Sequence, residues 1–323
     1  MPSPSPSTEI RRARPLLGTL VEIRASAGGP LADLQAAIDA AFAAVERVQR
    51  LMSFHDATSE VSALNRDALQ QPLRVDAQTW AVLAAAQRLS QLSEGAFDIS
   101  IGARLQAWGY LPATGKRRHS RRPMPLARAA GEGGTNRGAI GGVRAASGSS
   151  CSPAANWTDI ELLDDSRVRF HRPLLIDLGG IAKGYAVDCA IETLRQAGVD
   201  AALVNAGGDL RALGQQPQPV HLRHPQHPAL AAHALSLCNE ALATSANYYS
   251  RRTSPMGEVS PLLDPRSRRP WLGSASVSVR AADCISADAL TKVVLFAAPE
   301  MAERVLAAYE AQAYVQQPLE AAA

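Results

Sequence analysis

Residues 174–213 read LLIDLGGIAKGYAVDCAIETLRQAGVDAALVNAGGDLRAL, and the pattern of this stretch decides the fold class. An apolar run ends in Asp177 and is followed by Gly179-Gly180. An amphipathic segment comes next and stops at Gly198. A second apolar run, Ala201 to Ala206, leads into Gly207-Gly208-Asp209. The spacing predicts strand, glycine turn, helix, strand, glycine turn. Glycines ahead of a helix let backbone N–H groups approach an anion, and the helix N-terminus favours negative charge. The stretch therefore suits a phosphate-bearing ligand. The same spacing also suits a structural strand–helix–strand unit whose glycines only make turns.

Working outward, Leu16 to Ala25 alternates as a first strand. Leu31 to Met52 is apolar at 31, 34, 38, 41, 42, 45, 48 and 52, an amphipathic helix of about six turns. Asp76 N-caps a second helix to about Leu92. Asp159–Leu163 and Arg167–Phe170 form a hairpin around Asp164-Asp165-Ser166. Downstream, Ser274 to Arg280 alternates as a strand, and Ser286 caps a helix to about Ala297. Pro299 opens a last helix to about Tyr309. This order predicts an α+β fold, a mixed β-sheet packed with helices. One catalytic domain is expected over 15–310, between disordered tails at 1–14 and 311–323.

The 323 residues are 46% hydrophobic and 20% charged, as in an ordinary globular chain with a large core. The net charge of +3 is unevenly spread: 113–155 holds eight Lys or Arg against Glu132, or +7, which leaves −4 elsewhere. That segment also holds eight of the 23 glycines and has no periodicity, so a disordered insertion is expected. The basic pI then describes the insertion, and no nucleic-acid partner is expected of the folded part. The cysteines, Cys151, Cys189, Cys238 and Cys284, have neither zinc nor C-x-x-C spacing. The N-terminus lacks the apolar run of a signal peptide, and no later run reaches membrane-spanning length. A cytoplasmic location without a transmembrane segment is the expectation.

Nine separated stretches together resemble the ApbE-type FAD:protein FMN transferases. They are LLGTLVEI (16–23), LMSFHDATSEVSALN (51–65), GAFDIS (95–100), AWGY (107–110), IDLGGIAKGYAVD (176–188), LVNAGGDL (203–210), ATSANYYSR (243–251), DPRSRRP (264–270) and SADAL (286–290). They occur in the family's order. The resemblance implies a T-fold-related architecture and magnesium-dependent transfer of FMN from FAD to a Thr or Ser of an acceptor protein, releasing AMP. It also implies FAD contacts at Leu17, His55, Ala96, Phe97, Asp98, Asp177, Lys183 and Leu263. His55 stands where an aromatic ring usually stacks on the flavin. Lys183, in the first turn of a helix, opposes the helix dipole and so suits a phosphate. The implied Mg2+ ligands are the Gly180 carbonyl, Asp288 and a hydroxyl, with Asp288 also catalytic. The chain lacks a Ser/Thr-Gly-Ala-Thr acceptor motif, so the acceptor is expected to be another protein.

Two positions depart from the family pattern. The hydroxyl ligand is usually a Thr four residues after the Asp, but that position is Lys292, and Thr291 lies three after. Positions i+3 and i+4 share a helical face. Three readings stay open: Thr291 completes a magnesium site, Lys292 replaces the metal at the diphosphate, or Asp288 and Lys292 form a surface ion pair. The second departure lies in the loop 261–268. The family usually shows His-x-x-Asp-Pro-x-Thr-Gly, whereas here Pro261 stands for the His and Arg268 for the Gly. Loss of a general base removes about 10²–10⁴-fold of rate. The alternative function is therefore a flavin-binding or FAD-hydrolysing homologue with little transfer.

Overall fold

The computed structural model describes residues 8–113, 154–223, 231–247, 250–255 and 257–317. Met1–Ala113 and Ala155–Ala323 form one compact unit. The expected insertion falls almost wholly at 114–153, outside the described residues. The unit opens with β1 (Thr8–Leu16), β2 (Thr19–Ala27), α1 (Leu31–Met52), α2 (Glu60–Asp67), β3 (Leu73–Arg74), α3 (Ala77–Leu92) and α4 (Gly102–Ala107). Next come β4 (Ile160–Leu163), β5 (Arg167–Phe170), α5 (Ala182–Gln196), β6 (Ala201–Ala206), β7 (Asp209–Leu213), β8 (Gln218–Arg223), β9 (Ala231–Leu237) and β10 (Ala241–Ser245). The chain continues through β11 (Arg252–Ser254), β12 (Gly257–Val259), β13 (Ser276–Ala281), α6 (Cys284–Phe296), α7 (Pro299–Ala308) and β14 (Gln312–Gln316).

The fold is α+β. Seven strands form one sheet in the order β1-β2-β6-β7-β10-β13-β14. Every neighbouring pair in it is antiparallel. Such a sheet can carry helices on one face. In β2, Val21, Ile23 and Ala25 are buried and alternate with Leu20, Glu22 and Arg24. The buried row meets Ile38, Phe42 and Val45 of α1, Val187, Ile191 and Leu194 of α5, and Leu290 and Val293 of α6 in one core. On a second cluster, Val220, Leu222 and Leu237 of the β8–β9 hairpin cover Ala212 and Leu242.

Local signals set α1, the Asp76 cap of α3, the β4–β5 hairpin and Pro299 in the first turn of α7 as expected. Elsewhere the structure corrects the expectations. The part of the N-terminal tail from Thr8 onward is strand β1, paired with β2 over its whole length. Its arginines are held from a distance. Arg11 pairs with Glu22, Arg12 and Arg14 pair with Asp39, and the Arg14 guanidinium lies 4.5 Å from the centre of the Phe42 ring. The strand is also an edge strand, where Pro15 is tolerated. The first strand is thereby split by Leu17-Gly18, whose φ values of 56° and 71° make a two-residue hairpin turn. At the other end, Gln312–Gln316 of the expected tail is β14, paired with β13.

The apolar run at the head of the central stretch joins no sheet. Asn65 replaces a neighbouring strand: its Nδ2 donates to the Ile176 carbonyl at 2.9 Å, and the Ile176 N–H donates to its Oδ1 at 2.7 Å. The Asp177 N–H donates to the Ile99 carbonyl at 2.8 Å, which ties the run to the Gly95–Ser100 turn. The cap of α6 is Asp283, which accepts from the Ser286 N–H, and not Ser286 itself.

Candidate functional site

Two hairpin turns lie side by side because β2 pairs with β6, Val21 opposite Ala206. One is Leu17-Gly18 and the other Gly207-Gly208. A Cβ on Gly207 would sit 2.4 Å from Thr19 Oγ1, and its φ is +67°, so this position requires glycine. Both turns border a cavity of about 710 Å³, a size suited to a cofactor. Its walls come from the end of α1, the loop through His55, the turn after α3, α4, Asp177–Gly180, the end of β10, the 261–265 loop and α6. Every expected FAD contact lines it: Leu17, His55, Ala96, Phe97, Asp98, Asp177, Lys183 and Leu263. Gly180 and Lys292 line it too, whereas Asp288 and Thr291 lie beneath, 1% and 0% exposed.

The cavity floor is a cluster of four charges. Lys183 Nζ bonds to Asp209 and reaches Asp288 Oδ2 at 3.4 Å, while Lys292 Nζ bonds to Asp288 Oδ1. Two carboxylates and two ammonium groups balance. Burial pushes the Asp288 carboxyl up, but Lys183, Lys292 and the Gly184 N–H outweigh it and hold Asp288 below the usual range. For Asp209, burial and the neighbouring Asp288 charge win, and its pKa is raised. Burial opposes the charge on Lys183, yet Asp209 and Asp288 together raise its pKa. Lys183 thus stays an ammonium at the cavity wall.

Helices α5 and α6 hold this floor by capping one another. The Asp288 carboxylate of α6 accepts the Gly184 N–H in the first turn of α5 at 3.3 Å. In return, Asp188 of α5 accepts the N–H groups of Cys284 and Ile285, the first of α6, at 2.9 and 2.8 Å. Each carboxylate satisfies N–H groups that a helix end leaves unpaired. The crossing is close because residue 184 is glycine: a Cβ there would lie 2.1 Å from the Cys284 carbonyl oxygen.

Elsewhere on the wall, burial pushes the Asp177 carboxyl above its ordinary range despite the Gly179 N–H, His55 and Lys183 nearby. Asp98 is likewise raised by burial. Its oxygens accept the N–H groups of Ser100 at 2.7 Å and Trp157 at 3.2 Å, so it also shapes the backbone. Arg268 takes the left-handed conformation that suits a glycine, with φ +55°. Its guanidinium donates to the Ser100 and Ala155 carbonyls at 2.9 and 2.7 Å. This ties the 261–268 loop to the Gly95–Ser100 turn and to the segment that begins again at Ala155. Pro261 lines the cavity with no titratable group.

The expected magnesium ligands do not make a site that fits the ion. Magnesium needs free hard oxygens in near-octahedral array. Both Asp288 oxygens are taken, by Lys292 and by Lys183 with the Gly184 N–H. Thr291 Oγ1 donates to the Asp288 carbonyl at 2.7 Å and bonds to Ser245 Oγ at 2.7 Å, so the buried hydroxyl is already engaged beneath the cavity wall. The Lys292 stem crosses Gly180, where a Cβ would lie 3.3 Å from its Cε. Among the described residues, no group of three or more His, Cys, Asp or Glu could hold a metal. Lys292 and Asp288 do form a pair, and it lies on the cavity floor, with side chains 14% and 1% exposed, rather than on the outer surface. Asp209 is the floor residue that the sequence pattern did not single out, although it closes the G-G-D turn.

The sequence pattern of the ApbE family matches residues 17–315. The chain is 28% identical over 295 residues to a Vibrio cholerae protein named FAD:protein FMN transferase, covering 88% of this chain and 80% of that one. It is 29% identical over 311 residues to the FAD:protein FMN transferase of Rhodobacter capsulatus. That match covers 94% of this chain but 54% of the relative, so the chain spans about half of that relative's length. The ApbE protein of Thermotoga maritima superposes with a TM-score of 0.73 at 24% identity, over 97% of both chains. The apo form of the Pseudomonas stutzeri flavinyl transferase ApbE gives 0.70 at 21%, over 96% of this chain and 91% of that one. At these identities the structural likeness speaks for the fold.

Proposed function

The chain belongs to the ApbE family, and on that premise we propose that it transfers FMN from FAD to a Thr or Ser of an acceptor protein. The observation that carries this reading is the cavity itself. All eight expected flavin contacts line one space of about 710 Å³, with two ammonium groups in its walls. In the reaction, the acceptor hydroxyl oxygen bonds to the FMN-side phosphorus. The bond from that phosphorus to the bridging oxygen breaks, and AMP leaves with that oxygen. The hydroxyl proton passes to the departing phosphate or to solvent.

The protein's part is charge and position. Lys183 and Lys292 face the negative charge that shifts onto AMP, and preorganised cations in a water-poor site are worth more than in water. The dipole at the start of α5 favours the diphosphate further, although the Ala182 and Gly184 N–H groups there are already engaged, with the Leu178 carbonyl and with Asp288. The apolar walls, including Phe97 and Leu263, suit the flavin ring. No step passes through magnesium, because two of its three expected ligands, Asp288 and Thr291, are engaged with one another and with the lysines. No helix among the described residues is long and apolar enough to cross a membrane.

Incubating the chain with FAD and a Thr-bearing acceptor, then reading flavin fluorescence in a denaturing gel, tests the proposal. A fluorescent acceptor band is expected. AMP release without that band would replace transfer by FAD hydrolysis, the reading that Pro261 favours through the missing imidazole.

A further inference from the structure

The geometry points to Lys292 as a built-in cation: its ammonium takes the place of a divalent ion beneath the diphosphate, so that FAD binds this chain without metal. The inference rests on the flavin-site reading above. Three features converge on it. The Asp288 carboxylate and the Thr291 hydroxyl, two of the three groups expected to ligate a metal, are already engaged, the carboxylate by Lys292 itself. Its Nζ bonds to Asp288 Oδ1 and to the Asp288 carbonyl oxygen, the latter at 2.9 Å. Its stem passes over Gly180, the third expected ligand. Thr291, the remaining hydroxyl, is fully buried against Ser245.

The second feature is charge. Asp209, Asp288, Lys183 and Lys292 already sum to zero on the cavity floor. A divalent ion added there would stand beside two ammonium groups in a poorly screened site, where like charges repel strongly. The third is access. Lys292 lines the cavity while the Asp288 side chain is 1% exposed. A ligand phosphate therefore meets the ammonium before it meets the carboxylate. Asp288 then serves as a positioning residue that holds Lys292 and Lys183 toward the cavity.

The test is FAD affinity, followed by flavin fluorescence, in excess EDTA and in millimolar magnesium. Wild type should bind equally in both. Lys292→Met should weaken binding about tenfold in both, the scale of one lost charge-assisted bond. Lys292→Thr restores the hydroxyl that the family pattern places here. It should bind weakly in EDTA and recover with magnesium. A titration of each protein with Mn2+ alone, read by electron paramagnetic resonance, should find no site in wild type and one site in Lys292→Thr. Wild-type FAD binding that needs magnesium, or a Mn2+ site in wild type, would overturn the inference while leaving the flavin site standing. No FAD binding under any condition would remove both. The wild-type arms decide the matter even where a variant fails to fold.

Discussion

Gly184→Ala is the sharpest perturbation of the α5–α6 crossing. The new Cβ would lie 2.1 Å from the Cys284 carbonyl oxygen and 2.9 Å from the Ile285 Cα. Both obstacles are backbone, so no side chain can rotate aside. The helices must part by roughly 1 Å or more, and overpacking of this kind costs about 1–3 kcal/mol. Backbone against backbone puts the cost near 3 kcal/mol, a fall of about 5 °C in Tm for a unit of this size. The same displacement lengthens the 3.3 Å bond from the Gly184 N–H to Asp288 and moves Lys183 off its partners. A misplacement of about 1 Å at a reacting centre costs about 10²-fold in rate. Circular-dichroism melts and the fluorescent acceptor assay measure the two effects. Gly29→Ala is the control, since a Cβ there meets nothing within 4 Å. A Gly184→Ala protein that melts within about 1 °C of wild type and transfers at the same rate would refute the close crossing.

Gly207→Ala should destabilise through its contact with Thr19 Oγ1 and its left-handed φ. Adding Thr19→Ala should recover part of the lost Tm, a coupling that a double-mutant cycle measures. Arg268→Gly relieves a left-handed residue, worth about 1 kcal/mol, but removes the charge-assisted bonds to Ser100 and Ala155, worth more. A net loss of about 1 kcal/mol in a urea melt is expected. Asp177 has its pKa raised by burial. The folded chain therefore holds this proton more tightly than the unfolded one, and stability falls as pH rises through the window above about 4. Asp177→Asn should thus raise Tm relative to wild type at pH 8, and that advantage should vanish near pH 4.

What the sequence revealed depends on how local the signal is. α1 and α3 announce themselves by apolar spacing and by the Asp76 cap, which act within a few residues. β1 does not. A Pro- and Arg-rich segment looks like a tail until Asp39, Glu22 and the Phe42 ring are known to lie beside it. The run before Asp177 looks like a strand because apolar residues favour extension. What pairs with it is the Asn65 amide, 111 residues away. The site divides in the same way. Turn residues such as Ala96, Phe97, Asp177 and Gly180 lie in short motifs and reach the cavity as expected. The Asp209–Lys183–Asp288–Lys292 cluster depends on α5 packing against α6, a tertiary fact that no local spacing encodes. Residue 292 was visible as an oddity and Asp288 as a candidate partner, but the pair's place on the cavity floor was not.

A crystal structure of the chain soaked with FAD in EDTA would be the most direct test of all. The flavin ring should lie between Phe97 and His55, with a diphosphate oxygen at charge-assisted hydrogen-bond distance, about 2.8 Å, from Lys292 Nζ. FAD outside this cavity, or a diphosphate that orders only when a metal ion sits on Asp288 and Lys292 turns away, would contradict it.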